Sequence, residues 1–569
     1  MKVLKSVFYV TLVAFVFASC KSITSIPVPT GSDATIDIPA KKGPLSEKVK
    51  NAWSAADIET DSIAGMSLAK AYKFLEGKKG VPVIVGIADS GVDVEHEDLK
   101  GVAWVNPKEV PGNNKDDDNN GYVDDINGWN FLGNKEGKIV NADQLEITRI
   151  VKSGMDKFGN KKASEIADAD KKEYEEYLKI KEKFDKVAKA KENEIANLKG
   201  TKTRILQLEE SFTAVQNLIG KTDFTLDDVK NAKSDDAETT AKINDVTMIM
   251  SRGMKMADLL SYKKDLLAYL ESQENAKSYD LDFNARQSLG DDLYDITDTN
   301  YGNNNVIGSK KLESHGTHVA GIVAASRGNG KGLDGVANNV KILTVRVVPD
   351  GDEHDKDVAL GIRYAVDNGA KIINTSFGKA YSPNKQWVFD AIKYAAKNDV
   401  LIVNAAGNDS KNIDVEKTYP NDSEDLINEI SDNVLTVGAN SLFYDKRLPA
   451  RFTNYGKRNV DVFAPGVQIY STIPSDEYAQ KSGTSMAAPS AAGVAALVRS
   501  YYPQLSASQV KHILMNSGTK INFNVIKPGT QSRQNPDGEL VSFSELSVSG
   551  RIVNAFNALK MAAQIVNGK

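Results

Sequence analysis

The sequence predicts an α/β protein built on a doubly wound, mainly parallel sheet, into which a long α-helical hairpin or bundle is inserted. Short apolar runs alternate with helical patterns from residue 83 onward, and continuous apolar runs are typical of strands covered on both faces. The stretch 134–277 departs from this alternation, because it is charged and carries apolar residues at helical spacing. The net charge of -5 over 569 residues argues against a nucleic-acid-binding protein, which would present a basic face.

The chain begins with the pattern of a targeting segment. Lys2 and Lys5 precede an apolar run that is too short to span a bilayer, and the run ends at Phe17-Ala18-Ser19-Cys20. This ending resembles a bacterial lipoprotein cleavage box, which predicts a signal peptide at 1–20 and lipidation at Cys20. The protein would then be exported and anchored by lipid to a bacterial membrane, in the periplasm or at the cell surface. An ordinary secretory signal cut nearby is the alternative.

Residues 21–64 are assigned to a tether or N-terminal segment, because its first part is rich in Ser, Thr, Pro and Gly. The first helix of the next segment is predicted to start at Ser67 as its N-cap, with Leu68, Ala71 and Leu75 at helical spacing. Strands are predicted at the apolar runs 83–88, 341–348, 371–374, 400–404 and 434–438. Helices are predicted between the strands at 315–326, 356–368 and 384–397.

The insertion is predicted to consist of antiparallel helices packed as a hairpin or small bundle. A further helix within it is expected over 240–273. Its apolar positions form two stripes at helical spacing, which contain Tyr174, Tyr177, Phe184, Ala188, Ile195 and Leu198 in the first and Ile205, Leu208, Phe212, Val215 and Ile219 in the second. Such an arm is either a solvated decoration without a partner or an element that gates substrate or binds a partner.

Three motifs carry the chemistry. Asp89 ends the first apolar strand, His315 opens a His-Gly-Thr-His run, and Ser485 lies among small residues ahead of a long apolar helix. An acid, a base and a nucleophile in this chain order form one of the known orders of the serine-protease triad. Since a serine hydroxyl is a poor nucleophile, His315 would take its proton and pass it to the departing amine, while Asp89 would hold the imidazole.

All three motifs resemble those of the subtilisin-like serine peptidases, the subtilases. The resemblance covers about 65–133 and 278–520 together with a closing helix that includes Gly550 to Ala555, and it does not cover the arm. It implies a peptidase domain at 65–133 and 278–569, interrupted by the helical insertion at 134–277. The implied activity is that of a serine endopeptidase that acts on proteins or peptides through an acyl-enzyme.

The same resemblance implies roles for two further segments. Asn408 would donate its side-chain N–H to the oxyanion, together with the backbone N–H of Ser485, and Ala406 and Gly407, which precede Asn408, would bind the substrate. Ser376, Phe377 and Gly378 would line the substrate, which adds there as an extended strand, and the matching wall is expected near 346–352.

Two rival functions remain at this point. An α/β-hydrolase needs its Asp and His after the Ser, and His512 is the only histidine that follows Ser485. A catalytically inactive cell-surface binding protein on the same scaffold would use the arm instead. Among the other histidines, His318 is expected to be structural, and His96 and His354 are isolated in the sequence.

One acidic loop has the spacing of calcium ligands. Gly121 supplies the turn of this loop. The loop differs from that of an EF-hand because its twelfth position is Asn127, where an EF-hand has Glu. A hydrated acidic turn is the alternative to a structural calcium site. The predicted ligands are Asp116, Asp118, Asn120, Asp124 and the carbonyl of Tyr122.

Overall fold

The strands predicted from apolar runs lie at the centre of one sheet in the computed structural model of the protein, which describes Gly43 and residues 45–568. The predicted signal peptide and Cys20 lie outside the described residues. In chain order the strands are β1 (Val83–Asp89), β2 (Gly128–Asn130), β3 (Val340–Arg346), β4 (Ile372–Thr375), β5 (Leu401–Ala405), β6 (Val434–Asn440), β7 (Val462–Pro465), β8 (Ile469–Ile473), β9 (Glu477–Lys481), β10 (Thr519–Lys520), β11 (Asn524–Ile526), β12 (Leu540–Ser542) and β13 (Arg551–Ile552).

The main sheet has nine strands in the order β10-β13-β7-β6-β5-β4-β1-β3-β2. Every neighbouring pair is parallel except β10 and β13, so the predicted mainly parallel sheet is confirmed. The prediction missed β2, β7, β10 and β13, which have two to four residues each and are too short to form a distinct apolar run. Two separate hairpins, β8–β9 and β11–β12, lie outside the sheet.

Helices cover both faces of the sheet. Buried side chains of α3, α9, α12, α13 and α14 form one apolar cluster with the sheet, and those of α10 and α11 form a second, which confirms the doubly wound arrangement. In chain order the helices are α1 (Glu47–Ala52), α2 (Ile58–Asp61), α3 (Leu68–Leu75), α4 (Glu146–Phe158), α5 (Lys171–Ile219), α6 (Leu226–Asn231), α7 (Ala237–Ser251), α8 (Met256–Asn275), α9 (His315–Ala324), α10 (Asp355–Asp367), α11 (Lys385–Lys397), α12 (Thr484–Tyr501), α13 (Ala507–Ser517) and α14 (Ala555–Asn567).

The insertion contains helices α4 to α8. Its longest helix, α5, has 49 residues, which corresponds to a length of about 73 Å at the usual rise per residue. The second predicted stripe is buried against α7 and α8, in a cluster that includes Phe212, Val215, Val246 and Leu259. The single helix predicted over 240–273 is wrong, because α7 ends at Ser251 and α8 begins at Met256. Gly253 lies between them with φ of 85°, a left-handed conformation that interrupts a helix.

Two predicted helix starts differ from the structure. Ser67 precedes α3 as expected, but its φ is 60° and its hydroxyl does not cap the helix; it accepts a hydrogen bond from Asn554 instead. The closing helix does not include Gly550 to Asn554. Arg551 and Ile552 form β13, which pairs with β7 and β10, and α14 begins at Ala555, where the side chain of Asn554 caps it.

None of the helices in the described residues combines the length and the apolar character that are needed to cross a membrane.

Candidate active site

The first two predicted catalytic residues contact each other at the carboxyl edge of the sheet. Asp89 is the buried last residue of β1, and His315 is the first residue of α9. Asp89 Oδ1 and His315 Nδ1 lie 2.7 Å apart. The same carboxylate oxygen accepts a hydrogen bond of 2.7 Å from the N–H of Ser90, which fixes its position. A carboxylate that holds Nδ1 leaves Nε2 as the ring nitrogen that can accept a proton.

Ser485, the predicted nucleophile, is the second residue of α12. Its hydroxyl donates to the carbonyl of Ser376 at 3.0 Å, and the hydroxyl of Ser376 donates to the carbonyl of Ser485 at 2.9 Å. In this rotamer no hydrogen bond joins Ser485 to His315 within the described residues, because the hydroxyl points to Ser376. Rotation about the Cα–Cβ bond redirects the hydroxyl without moving the backbone.

Two N–H donors converge beside Ser485. Asn408 Oδ1 accepts hydrogen bonds from the N–H and the hydroxyl of Thr484, at 2.8 and 3.0 Å. The amide nitrogen of Asn408 makes no hydrogen bond within the described residues, so it can donate to a ligand. A Cβ placed on Gly483 would lie 3.5 Å from Ser485 N, 3.6 Å from Asn408 Nδ2 and 3.7 Å from Ser485 Cβ. The two donors and the nucleophile therefore border one small space that glycine leaves open. Such an arrangement suits an oxyanion that forms when a serine attacks a carbonyl.

The turn that follows β5 places Asn408 in this position. Gly407 has φ of 104°, in the region that favours glycine, and its N–H donates to the Thr484 hydroxyl at 3.0 Å. Ala406 is buried, and its carbonyl accepts a hydrogen bond of 2.8 Å from the Asn454 amide. Ala406 and Gly407 thus shape the turn, and Asn408 presents the donor.

The predicted substrate-lining segment, 376–378, follows β4, and its matching wall, near 346–352, begins at the end of β3. The strands β4 and β3 lie on either side of β1. Neighbouring strands are about 4.8 Å apart, so the two segments are separated by about 10 Å. Because β1 ends at Asp89, the space beyond it has the width of one extended peptide. In the described part of the chain, the backbone groups of Gly351 and Gly378 make no hydrogen bond, so they remain available to such a peptide.

A buried ion pair behind Asp89 was not predicted from the sequence. Arg346 ends β3 and is fully buried; its Nε donates to the Ser90 carbonyl and to Glu313, each at 2.9 Å. Its Nη1 donates to the Asn130 amide oxygen at 2.9 Å. Burial raises the pKa of Glu313 to about 7, against the lowering effect of Arg346. The one sequence signal was a charged residue near the end of a mainly apolar run, and nothing in the sequence paired it with Glu313.

The acidic loop brings together only part of the predicted calcium ligands. Carboxylate oxygens of Asp116 and Asp118 lie within 4.8 Å of each other and of Glu109, which the sequence analysis did not select. The Asp124 carboxylate is buried and accepts N–H groups of its own loop, from Gly112 at 3.1 Å and from Asn114 at 2.7 Å.

The other two predicted ligands lie at the turn of this loop. The side-chain oxygen of Asn120 accepts a hydrogen bond from the N–H of Tyr122 at 2.8 Å. The ring of Tyr122 packs edge-on against Trp129 and Tyr364, with ring centres 5.1 and 4.7 Å away.

Two further histidines, His318 and His354, make contacts of their own outside the catalytic pair. His318 is buried and its Nε2 lies 3.0 Å from the Ala479 carbonyl; burial lowers its pKa to about 3, so it stays neutral. His354 is not isolated in space, because its Nε2 lies 2.8 Å from Asp143 Oδ2 at the base of the insertion.

The fold and the site together define a class of protein. A mainly parallel sheet with an aspartate, a histidine and a serine at one edge, in this chain order, is the architecture of a subtilisin-like serine peptidase. The chain belongs to the subtilase family, whose model, described as "Subtilase family", matches residues 80–534. The matched range begins before β1 and encloses the whole insertion.

Individual relatives match smaller parts of the chain. Subtilisin DY of Bacillus licheniformis is 37% identical over 211 residues, which are 36% of this chain and 71% of the relative. The cell wall-associated protease of Bacillus subtilis (strain 168) is 33% identical over 299 residues, or 50% of this chain, and this chain spans only 30% of that protein. A solved structure titled as a cold adapted subtilisin-like serine proteinase is 28% identical, covers 43% of this chain and 78% of its own, and has a TM-score of 0.33.

Proposed function

We propose that the protein is a serine endopeptidase that cleaves proteins or peptides through an acyl-enzyme. The observation that carries this proposal is the 2.7 Å contact between Asp89 and His315, which are 226 positions apart in the chain. This contact lies at the sheet edge where α12 presents Ser485 beside two N–H donors.

The geometry supports a specific division of roles. His315 Nε2 takes the proton of the Ser485 hydroxyl as that oxygen attacks the peptide carbonyl, and the imidazolium is stabilised by Asp89. The oxyanion accepts hydrogen bonds from Asn408 Nδ2 and Ser485 N. His315 then gives the proton to the leaving amine, and water hydrolyses the acyl-enzyme by the same route in reverse.

The decisive experiment replaces the nucleophile. Ser485→Ala is expected to lower kcat on casein or a chromogenic peptide by about 10⁶, the size of loss measured when a subtilisin loses its serine. It should also abolish labelling by a fluorophosphonate while leaving the circular dichroism spectrum unchanged. The matched control is Ser482→Ala, an exposed serine three positions earlier, which should still be labelled. Labelling of Ser485→Ala, or no labelling of the wild type, would reject the proposal and favour an inactive binding protein.

We further propose that the acidic loop holds a structural calcium ion through Glu109, Asp116 and Asp118. Carboxylate oxygens are the ligands that calcium prefers. Glu109 supports this assignment, because its Oε2 is buried and has no hydrogen-bond partner in the described part of the chain. Its other oxygen accepts N–H groups of Asp117 and Asp118, at 2.9 and 3.2 Å, which orients the carboxylate.

Thermal melting tests this ion. A chelator is expected to lower the Tm of the wild type, and calcium should restore it. Asp118→Asn should have a lower Tm in calcium and respond much less to the chelator, while Asp156→Asn, an exposed carboxylate on α4, should behave like the wild type. Equal chelator responses of Asp118→Asn and the wild type would count against these ligands.

For the location of the protein, we propose export and lipid attachment at Cys20. The support is the sequence of the first twenty residues alone. Metabolic labelling with a radioactive or clickable fatty acid tests it, and Cys20→Ala should remove both the label and the membrane association. If the wild-type protein carried no fatty-acid label and were absent from the membrane fraction, an ordinary secretory signal would be indicated instead.

A further inference from the structure

A lysine next to the catalytic pair keeps most of its hydrogen-bonding capacity unused. Lys481 is the last residue of β9, and its ammonium donates to the Ser314 hydroxyl at 2.5 Å, directly before His315. An ammonium has three donors, so two remain. Within the residues that the structure describes, no carboxylate lies at ion-pair distance from Lys481, although the side chain is partly buried.

Other lysines that are shielded from water form ion pairs with carboxylates. Lys356, Lys379 and Lys511 are almost fully buried, and each lies between 2.7 and 3.1 Å from a carboxylate oxygen. Near the site, even the half-exposed Lys310 lies 2.9 Å from Asp93. A charge removed from water is costly without an opposite charge, and burial lowers the pKa of Lys481, an effect that the more distant Asp89 opposes. Within the part of the chain that the structure describes, Lys481 therefore lacks the counter-ion that these four lysines have.

The position of Lys481 indicates which part of a substrate could supply the counter-ion. The hairpin β8–β9 packs on α9. The hydroxyls of Ser471 and Thr472 donate hydrogen bonds to the carbonyls of His318 and Thr317, at 2.7 and 2.8 Å. The hairpin is thus bonded to the helix that His315 opens, whereas the segment 376–378 contacts Ser485 through Ser376. His315 gives its proton to the leaving amine, so the residues after the scissile bond pass on the His315 side.

We propose that Lys481 forms a subsite for a carboxylate of the substrate, within the first two residues after the scissile bond. This inference rests on the proposed peptidase function. The carboxylate is either an acidic side chain or the C-terminus of the substrate, since both offer the same oxygens to the two unused donors. The subsite makes Lys481 a specificity-determining residue, because it discriminates among leaving groups while Ser485 and His315 carry out the chemistry.

The test compares substrates that differ in one charge. Internally quenched peptides carry Glu or Gln directly after the scissile bond, and a second pair ends two residues after it as a free acid or an amide. The wild type is expected to show kcat/KM about fivefold higher for the charged member of at least one pair, the ratio that corresponds to a partly exposed ion pair. The pair that shows the preference identifies the source of the carboxylate, and 0.5 M salt should shrink the ratio.

Variants assign the preference to Lys481. Lys481→Met is expected to bring both ratios to about one, while Lys481→Arg should retain a preference. Each ratio compares two substrates on one enzyme, so a variant that folds poorly still gives a valid result. Equal ratios in the wild type and Lys481→Met, or a wild type without preference in either pair, would overturn the inference. Failure of the wild type to cleave any peptide would instead reject the peptidase function.

Discussion

The peptidase core and the helical insertion use charged residues in opposite ways. In the core, charges at the sheet edge are buried and held by several partners, as Arg346 and Asp89 are. Along α5, charges form exposed pairs within one helix, such as Lys181 with Asp185 and Lys186 with Glu182. Buried charges fix geometry, whereas exposed pairs add little stability. The described contacts therefore place the proposed catalytic pair in the core and give the shaft of the insertion, α5 to α8, a separate small apolar core.

The base of the insertion does not follow this division. Glu146 opens α4, and its carboxylate accepts hydrogen bonds from Arg149 and Lys379, each at 2.7 Å. Lys379 directly follows Gly378 of the proposed substrate segment. Arg149 also donates to the carbonyl of Asp352 at 3.0 Å, next to Gly351 of the opposite wall. The first turn of the insertion is thus bonded to both sides of the candidate cleft.

Among the variants that compare these two regions, the largest effect is expected in the core, from Asp89→Asn. An amide in this position favours the wrong imidazole tautomer, which lowers kcat by about 10⁴ in the serine-protease triad. The fold should be retained, since the two side chains have the same shape, so circular dichroism and Tm should stay close to those of the wild type. Asp185→Asn on α5 is the matched control and should keep full activity. A loss of less than tenfold in Asp89→Asn would contradict the role assigned to this carboxylate.

Local destabilisation of the shaft is expected to leave kcat unchanged. Phe212 is 1% exposed in the cluster of α5, α7 and α8, and Phe212→Ala should cost about 3–5 kcal/mol of local stability. Hydrogen exchange followed by mass spectrometry should then show faster exchange in α5 to α8 and unchanged exchange in β1 and α12. Its control is Leu206→Ala, 42% exposed on the same helix. A parallel loss of kcat in Phe212→Ala would show that shaft and site are coupled.

The sequence was most informative where function depends on short segments. Asp89 follows an apolar strand and Asn408 a second one, so parallel strands had to bring both to one edge of the sheet. Glu313 and Arg346, 33 positions apart, and Lys481 could not be assigned, because their roles depend on which segments meet in space. The closing helix was predicted five residues too early, since the apolar pair Ile552 and Val553 suits a short buried strand equally well.

The base of the insertion should show the next largest effect, with a defined pH dependence. Burial alone would raise the pKa of Glu146, but Lys379 and Arg149 outweigh it and lower the pKa from 4.5 to about 2. A carboxyl group whose pKa is lowered on folding stabilises the folded state above its unfolded pKa, and this contribution is lost as the pH falls toward the folded value. Its size is roughly 3 kcal/mol. Glu146→Gln should therefore have a lower Tm at pH 7, and the difference from the wild type should shrink between about pH 5 and pH 2. A difference that is constant over this range would contradict the ionic role of Glu146.

The smallest effect is expected from an ion pair of the shaft, which serves as the counterpart of Glu146 and Lys379. Lys181 and Asp185 lie 2.7 Å apart, as close as the pair at the base, but their side chains are 38% and 55% exposed. Removing one partner of a buried pair costs about 3–5 kcal/mol, because a charge is left without compensation, whereas an exposed pair four residues apart in a helix contributes about 0.3–0.5 kcal/mol.

Lys379→Met should therefore lower Tm by several degrees and weaken binding of peptides that extend along Gly378, which a rise in KM would report. Lys181→Met should leave both Tm and KM within error of the wild type. If the two variants behaved alike, distance rather than burial would determine the contribution of these pairs, and the base of the insertion would have no special connection to the cleft.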